Sequence, residues 1–206
     1  AVEGRVRGPR RAAGGVGTGG WGAGAAGVRR GSTVAGGGEG AVGRMGVRAA
    51  KRRGATRIIA MSRHKKRQEL AEEYGATDIV AERGDEGVAR IKALTKNVGA
   101  DSVLECVGTN ESMQQAIHCT RPGGMIGYVG VPHGVTFDGQ SLFFSQTGML
   151  GGPAPVRRFL PHLIDLVMRR QINPGKVFDF EVPLKDVAEG YKAMDERRAI
   201  KTLLRV

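Results

Sequence analysis

Cysteine is scarce in this 206-residue chain, with Cys106 and Cys119 the only two. Two thiols offer no disulfide framework and cannot build a four-cysteine zinc site, which fits a reducing cytoplasm. Long apolar runs are also missing. None approaches the ~18–20 residues needed to span a bilayer, so no membrane segment is expected. The N-terminus carries arginines but lacks the apolar stretch of a secretory signal. Aromatic residues make up only 5% of the chain and none lies in residues 1–16, so the arginines there have nothing interleaved to stack bases.

Acidic residues are few at the N-terminal end. Residues 1–53 carry ten Arg and one Lys against Glu3 and Glu39, a charge of +9, whereas residues 54–206 carry 21 basic and 18 acidic groups, only +3. The overall +12 is therefore local to the N-terminal segment and assigns no nucleic-acid function to the whole chain. Residues 1–16 are rich in Gly, Arg and Ala with almost no large apolar residue to bury, and a disordered, solvated tail is the expectation. The competing reading is an arginine-glycine arm on phosphate backbones.

What the chain does have is a strand–turn–helix–strand pattern at residues 32–63. Ser32-Thr33-Val34-Ala35 opens as an extended run, and Gly38-Glu39-Gly40-Ala41-Val42-Gly43 has G-x-G-x-x-G spacing. A helix follows with Val42, Met45, Gly46, Ala49 and Ala50 at helical spacing. Gly54 ends it, and Arg57–Met61 forms the second strand. Gly38 serves a sharp turn, Gly40 lets the backbone approach a pyrophosphate, and Gly43 lets the helix sit close on the sheet. The free N–H groups at the helix start then face phosphate. Because 17 of the 34 glycines fall within the first 50 residues, the spacing alone is a weak signal, and the flanking strands give it weight.

Strands and helices continue to alternate. A helix is expected over 64–75, a strand over 78–80, a helix from Gly84 or Asp85 to Leu94 and a strand over 102–107. A helix around Met113–Ile117 follows, then a turn at Pro122-Gly123-Gly124, a strand over 125–131 and a sixth strand within 143–152. An amphipathic helix around 159–167 carries Pro161 in its first turns, and a strand at 177–182, a helix at 184–194 and a strand at 202–204 complete the chain. This order implies βαβ units and a parallel sheet, with loops 38–43, 62–67, 108–112 and 130–134 on its carboxyl edge.

Several stretches together resemble the carboxyl-terminal half of zinc-type medium-chain alcohol dehydrogenases and their threonine-dehydrogenase-like relatives. They are Gly17-Thr18-Gly19, Gly31–Ala35, the turn at 38–43, Gly75-Ala76-Thr77-Asp78, Gly99-Ala100-Asp101, Glu105-Cys106-Val107-Gly108, Arg121-Pro122-Gly123-Gly124, Tyr128–Pro132 and Val187–Met194. The resemblance implies an α/β fold, a doubly wound parallel Rossmann sheet, over 17–170. Residues 171–206 then form a carboxyl-terminal segment that in the family returns to a separate catalytic domain. It implies reversible oxidation of an alcohol with a nicotinamide dinucleotide, and homo-oligomers formed through the Rossmann domain. Cofactor contacts are implied at Thr18, Gly38, Gly40, Ala41, Val42, Gly43, Ser62, Arg63, Arg67, Cys106, Val107, Gly108, Gly130 and Val131. The family's catalytic zinc ligands have no counterpart in this sequence. Cys106, His118, Cys119 and His133 are too poorly spaced to replace them. The expectation is thus a cofactor-binding portion lacking its own zinc domain, with a non-catalytic dinucleotide-binding or oligomerisation module as the alternative.

The end of the second strand bears on the cofactor. An NAD-preferring unit carries Asp or Glu there to accept from the ribose. Here Ser62 and Arg63 follow Met61, with His64, Lys65, Lys66 and Arg67 adjacent, and a guanidinium fork suits a 2′-phosphate. NADP is expected over NAD. Three features conflict with the pattern. Gly36 and Gly37 stand where the family carries large β-branched residues, each forfeiting roughly 1.5–3 kcal/mol of burial. Arg44 stands where the family has an apolar residue facing the sheet, and an unpaired charge there would have to snorkel or displace the helix. Trp21, Gly22 and Gly24 also replace more regular helix positions.

Overall fold

The computed structural model describes residues 13–206, which divide into two compact units, Thr18–Pro155 and Val156–Val206 together with the residues up to Gly17. The larger unit is built on six strands: β1 (Thr33–Gly36), β2 (Arg57–Met61), β3 (Asp78–Val80), β4 (Ala100–Glu105), β5 (Thr120–Tyr128) and β6 (Gly148–Gly151). All pair in parallel in the order β3-β2-β1-β4-β5-β6. The helices are α1 (Ala13–Ala25), α2 (Ala41–Arg52), α3 (Lys65–Tyr74), α4 (Gly84–Leu94), α5 (Asn110–Cys119) and α6 (Gly139–Ser145). This is the doubly wound sheet expected from the alternation, and its strand order reverses between β1 and β4.

The core follows from the β-branched and long apolar residues of the central strands. Ile59, Val80, Val103 and Ile126 meet Ile91 of α4 and Met113, Ala116 and Ile117 of α5 in one cluster. Each large side chain removed from water there contributes about 1.5–3 kcal/mol. Gly36 does not break β1. It pairs with Ala60 and Leu104 in register, and the Gly37 N–H donates to the Leu104 carbonyl at 2.8 Å, so ladder hydrogen bonds hold the strand.

The glycines of α1 pack rather than disrupt. A Cβ at Gly19 would stand 2.6 Å from the carbonyl carbon of Met45 in α2, and one at Gly127 of β5 would overlap the Gly22 carbonyl. Small residues here bring α1 backbone-close to α2 and the sheet. Residues 1–12 of the expected disordered tail lie outside the described residues, but Ala13–Val16 are helical, a correction to that expectation. Once the packed turns of α1 are formed, extending the helix by a turn costs little.

The main departures from the sequence reading lie in β4, β5 and the stretch before the sixth strand. β4 ends at Glu105 instead of 107, because the Glu105 carboxylate turns back onto the N–H groups of Val107 and Gly108. Pro122-Gly123-Gly124 lies inside β5, where pairing passes from Ala100–Thr120 to Ser102–Met125. The glycine turn is thus a bulge within a strand, with Gly123 at φ +72°. β5 then stops at Tyr128, three residues early, and its chain continues as a loop. Phe143–Ser145 belong to α6, capped by the Asp138 carboxylate, so only 148–151 form the sixth strand.

The smaller unit contains α7 (Val156–Met168, with Pro161 inside it), the parallel pair β7 (Phe178–Pro183) and β8 (Lys201–Arg205), and α8 (Val187–Asp195). Single turns of 3₁₀ helix at Pro174–Val177 and Leu184–Asp186 precede β7 and α8. Val182, Ala193 and Ala199 are buried, while Leu184 and Tyr191 are exposed.

Ion pairs tie the amino ends of neighbouring strands. Arg57 of β2 pairs with Asp78 of β3 through two bonds of 2.8 and 3.0 Å and also donates to the Leu94 carbonyl. Asp101 of β4 accepts from Arg121 of β5 at 2.6 Å and from the Thr33 N–H of β1 at 2.7 Å. Burial alone would raise the Asp101 carboxyl, but these two donors hold it below the ordinary aspartate value of 3.8. A depressed folded pKa means that the unfolded chain takes up the proton more readily. The contribution is complete above 3.8 and is lost as pH falls through the folded value. Asp101→Asn should therefore flatten the acid limb of a stability-versus-pH curve measured by urea unfolding, and an unchanged limb would refute this role. A second prediction concerns Gly43, where a Cβ would overlap the Gly38 carbonyl oxygen. Gly43→Ala should cost about 1–3 kcal/mol in the same measurement. Gly40→Ala, which meets open space, should cost less than about 1 kcal/mol.

Candidate functional site

At the point where strand order reverses, the carboxyl ends of β1 and β4 part around a cleft of about 230 Å³. Gly36, Gly37 and Gly38 form one wall, and Glu105, Val107, Thr109 and Ser112 form another. Met61, Arg63, Arg83 and Gln115 close the remainder. An open α/β sheet offers its ligand crevice at this reversal, because the two flanking crossovers leave in opposite directions.

The wall from β1 is made by the glycine turn. Gly38 adopts φ +100°, and a Cβ there would come within 3.0 Å of the Cys106 side chain, so only glycine fits easily. Helix α2 then begins at Ala41 with Gly40 as its cap, and among the described residues no side-chain hydrogen bond caps its start. The close approach allowed by Gly43 is to the turn itself, through the Gly38 carbonyl, and it is Gly46 whose Cα faces the sheet, 3.0 Å from Leu104 for an added Cβ. The role foreseen for Gly43 therefore belongs to Gly46, one turn later.

The wall from β4 is organised by Glu105. Its Oε1 accepts from Val107 N–H at 2.7 Å, Gly108 N–H at 2.9 Å and the Ser112 hydroxyl at 2.8 Å. Its Oε2 and the Gln115 Nε2 are buried without a partner among the described residues. Gly108 abuts the loop after β5, since a Cβ on it would overlap the Val131 carbonyl, and His133 N–H donates to the Gly108 carbonyl at 2.9 Å. The loops bearing Gly108, Gly130 and Val131 thus converge. Cys106 is half-buried, and Cys119 lies in the cleft wall. Burial pushes both thiols up to about 12, which leaves them poor nucleophiles near neutral pH.

Beyond β2 the chain gathers charge. Arg44 is 1% exposed and stays buried because it is not the unpaired charge that would have to snorkel or displace α2. Its Nη2 donates to the Ser62 hydroxyl at 2.9 Å. Burial pushes its guanidinium down to about 10, with Glu39 opposing that shift and Arg67 and Arg83 adding to it. The fully buried Ser62 hydroxyl donates in turn to Glu39 Oε2 at 2.9 Å, which also accepts from the Arg63 N–H at 3.0 Å. Glu39 Oε1 lies 3.5 Å from His64 Nε2, and Arg67 Nη1 donates to the Glu39 carbonyl at 3.2 Å. Burial would raise the Glu39 carboxyl, but the Ser62 and Arg63 donors and the neighbouring His64 bring it below its ordinary value.

Of the residues singled out from sequence, Gly38, Arg63 and Val107 line the cleft. Gly40, Ala41, Val42 and Gly43 begin α2 beside it, and Ser62 and Arg67 stand behind the Glu39 carboxylate. Thr18 lies in α1 and is not a lining residue. Sequence reasoning missed Glu39, Glu105, Gln115 and Arg83. The signal for Glu39 was available: a carboxylate between the first two glycines of a phosphate-type turn is electrostatically out of place.

The sequence pattern of the family described as zinc-binding dehydrogenase matches residues 41–167. The chain belongs to the zinc-binding dehydrogenase family. A probable zinc-binding alcohol dehydrogenase of Mycobacterium tuberculosis is 36% identical over 78% of this chain, and an alcohol dehydrogenase of Malus domestica is 30% identical over 86%. The chain spans 41% and 49% of their lengths, about half of a family member. Among solved structures, an alcohol dehydrogenase from Thermus sp. ATN1 superposes with a TM-score of 0.84 at 31% identity, covering 92% of this chain and 56% of that one. An alcohol dehydrogenase zinc-binding domain protein from Burkholderia ambifaria gives 0.81 at 30% identity, covering 93% and 53%. The parallel six-stranded α/β sheet described above is thus shared with the matched part of these dehydrogenases.

The carboxylate of Glu105 makes a direct test of how the β4 wall is held. Glu105→Ala strands the Val107 and Gly108 N–H groups, each costing about 1–3 kcal/mol if left buried, while the Ser112 hydroxyl keeps the Thr109 carbonyl as an acceptor. Glu105→Gln keeps one acceptor oxygen for these N–H groups. Urea unfolding should show a large loss for the alanine variant and a smaller one for glutamine. Equal stability of Glu105→Ala and wild type would rule out the hub role.

Proposed function

We propose that this chain is the NADP(H)-binding portion of an alcohol dehydrogenase-like, nicotinamide-dependent oxidoreductase. The observation that carries the reading is the end of β2. Ser62 and Arg63 occupy the place of a ribose-binding carboxylate, and Arg44, Arg67 and Arg83 stand around them. A guanidinium presents paired donors to phosphate oxygens, so this corner favours a 2′-phosphate over a bare ribose hydroxyl.

The residues present suit such a cofactor. The crevice sits at the strand-order reversal, its turn needs glycine at Gly38, and the first N–H groups of α2, which no side chain caps among the described residues, favour an anion. A bound nicotinamide would accept or deliver the hydride. The chain's own part is to fix the dinucleotide: the turn at 38–43 holds the pyrophosphate, Arg63 and its neighbours the 2′-phosphate, and the converging loops at 106–108 and 130–131 the nicotinamide end.

Zinc is a different matter. Among the described residues no three His, Cys, Asp or Glu side chains gather as metal ligands, so we derive no step through a metal. The ligands are expected from a part of the enzyme outside this sequence. A chain acting only as a dinucleotide-binding or oligomerisation module is the second reading, favoured by the same scatter of Cys106, His118, Cys119 and His133. Homo-oligomerisation through the Rossmann unit accompanies both readings, supported by exposed Phe143, Phe144 and Leu150 on and before the edge strand β6. Among the described residues no helix is long and apolar enough to cross a membrane. The free thiols suit a cytoplasmic setting.

Calorimetric titration with NADPH and NADH tests the assignment. NADPH should bind more tightly, and Arg63→Ala should weaken NADPH about tenfold or more, the worth of one charge-assisted hydrogen bond, while changing NADH little. Tighter NADH binding by the wild type would sink the cofactor assignment.

A further inference from the structure

Arg83 stands on the segment that leaves β3, beside the segment that leaves β2. The two strands end in register, Met61 against Val80, and the Ser62 N–H continues the ladder to the Val80 carbonyl at 2.9 Å. Ser62-Arg63 and Ala81-Glu82-Arg83 therefore run out of the sheet as neighbours, and Arg63 and Arg83 both line the cleft. Arg83 is also the extended residue that precedes α4, so the start of that helix fixes where its side chain departs. A Cβ on Gly87 would stand 2.9 Å from the Glu82 carbonyl, a close approach that holds the helix against this segment.

The Arg83 guanidinium is only partly engaged. Its Nη1 donates to the Glu82 carbonyl at 2.9 Å and to the Ala81 carbonyl at 3.3 Å, which ties it to its own loop. Its Nε and Nη2 make no hydrogen bond among the described residues, although Asp85 and Glu86 lie in the first turn of α4. Burial lowers this guanidinium below its ordinary value, with Glu39 opposing the shift, Arg63 adding to it and Glu82 opposing it. The deeper arginines differ. Arg44 is 1% exposed with its Nη2 on Ser62, Arg67 is 4% exposed with its Nη1 on the Glu39 carbonyl, and neither lines the cleft.

We infer that Arg83 is the second arm of the 2′-phosphate subsite, closing on the phosphate from the end of β3 while Arg63 closes from the end of β2. This rests on the NADP reading above and assigns the selectivity to two residues on adjacent strand ends. A phosphate monoester presents three acceptor oxygens, more than one guanidinium fork covers, and two forks supply paired donors from two sides. Because Nη1 is already tied, the Arg83 fork is oriented before the phosphate arrives and loses less freedom on binding. A ribose hydroxyl carries no charge, so the same arm adds little to NADH. Arg44 and Arg67 stand behind Ser62 and the Glu39 carbonyl and take no direct part.

The 206-residue chain is titrated with NADPH, NADH and adenosine 2′-phosphate, as wild type, Arg83→Ala, Arg83→Gln and the double variant Arg63→Ala with Arg83→Ala, with thermal melts confirming that each is folded. Either single variant should weaken NADPH and adenosine 2′-phosphate about tenfold or more and NADH less than about threefold. The glutamine variant keeps a donor for the Ala81 and Glu82 carbonyls and serves if alanine fails to fold. The double variant should bind NADPH and NADH equally to within about threefold. Unchanged NADPH binding in Arg83→Gln, with the wild type still preferring NADPH, overturns the inference and leaves the cofactor assignment standing. So does an equal loss for NADPH and NADH, because Arg83 would then serve a part that the two share, or a double variant that still prefers NADPH. A wild type that prefers NADH, or binds neither dinucleotide, overturns the cofactor assignment and this inference with it.

Discussion

The contact between Gly43 and the Gly38 carbonyl governs the site, because no side chain can stand between them. It fixes where α2 leaves the turn, and so where its first N–H groups point. It also sets the side of α2 that reaches the sheet, which places Gly46 against Leu104 and Arg44 against Ser62. The charged corner is a consequence of that placement. Arg44 is carried inward by the helix rather than by any gain of its own, and Ser62 and Glu39 form the polar chain that makes its burial tolerable.

Much of the fold was legible because the sheet is buried on both faces and its strands are written as short apolar runs. Ile58-Ile59-Ala60 and Val103-Leu104 read directly, and the glycines ending the helices, such as Gly75 in the left-handed conformation, mark boundaries well. The errors have physical causes. β4 looked longer because Cys106 and Val107 are apolar, but the Glu105 carboxylate captures the N–H groups of Val107 and Gly108. Phe143 and Phe144 looked like a strand, but Asp138 caps a helix there and both rings remain exposed. Local pattern does not reveal where a side chain will find a backbone partner.

The site was legible in outline only. Spacing located the glycine turn and the end of β2, since both are fixed by the βαβ unit. It gave no access to Glu39 meeting Ser62 across 23 residues, or Gln115 reaching the cleft wall. Those contacts depend on how α2 and α5 are rotated about their axes, which the sequence period specifies only to within a face. Arg44 illustrates the limit. Its position was identified as anomalous, and the sheet-facing side chain that resolved the anomaly is a polar one at Ser62.

At the opposite edge of the sheet, Asp101 reaches Thr33 on one side and Arg121 on the other, while Arg57 and Asp78 join the next two strands. Parallel neighbours exchange evenly spaced hydrogen bonds, so a strand slipped along its partner finds a ladder almost as good as the correct one. A charged pair at the strand's first residues has no such tolerance. A slip of one residue moves the carboxylate by about 3.3 Å and turns its side chain to the other face. The five strands joined in this way are thereby indexed from their amino ends. The alignment of the glycine turn, Ser62 and Glu105 at their carboxyl ends is set by strand length measured from that clasp.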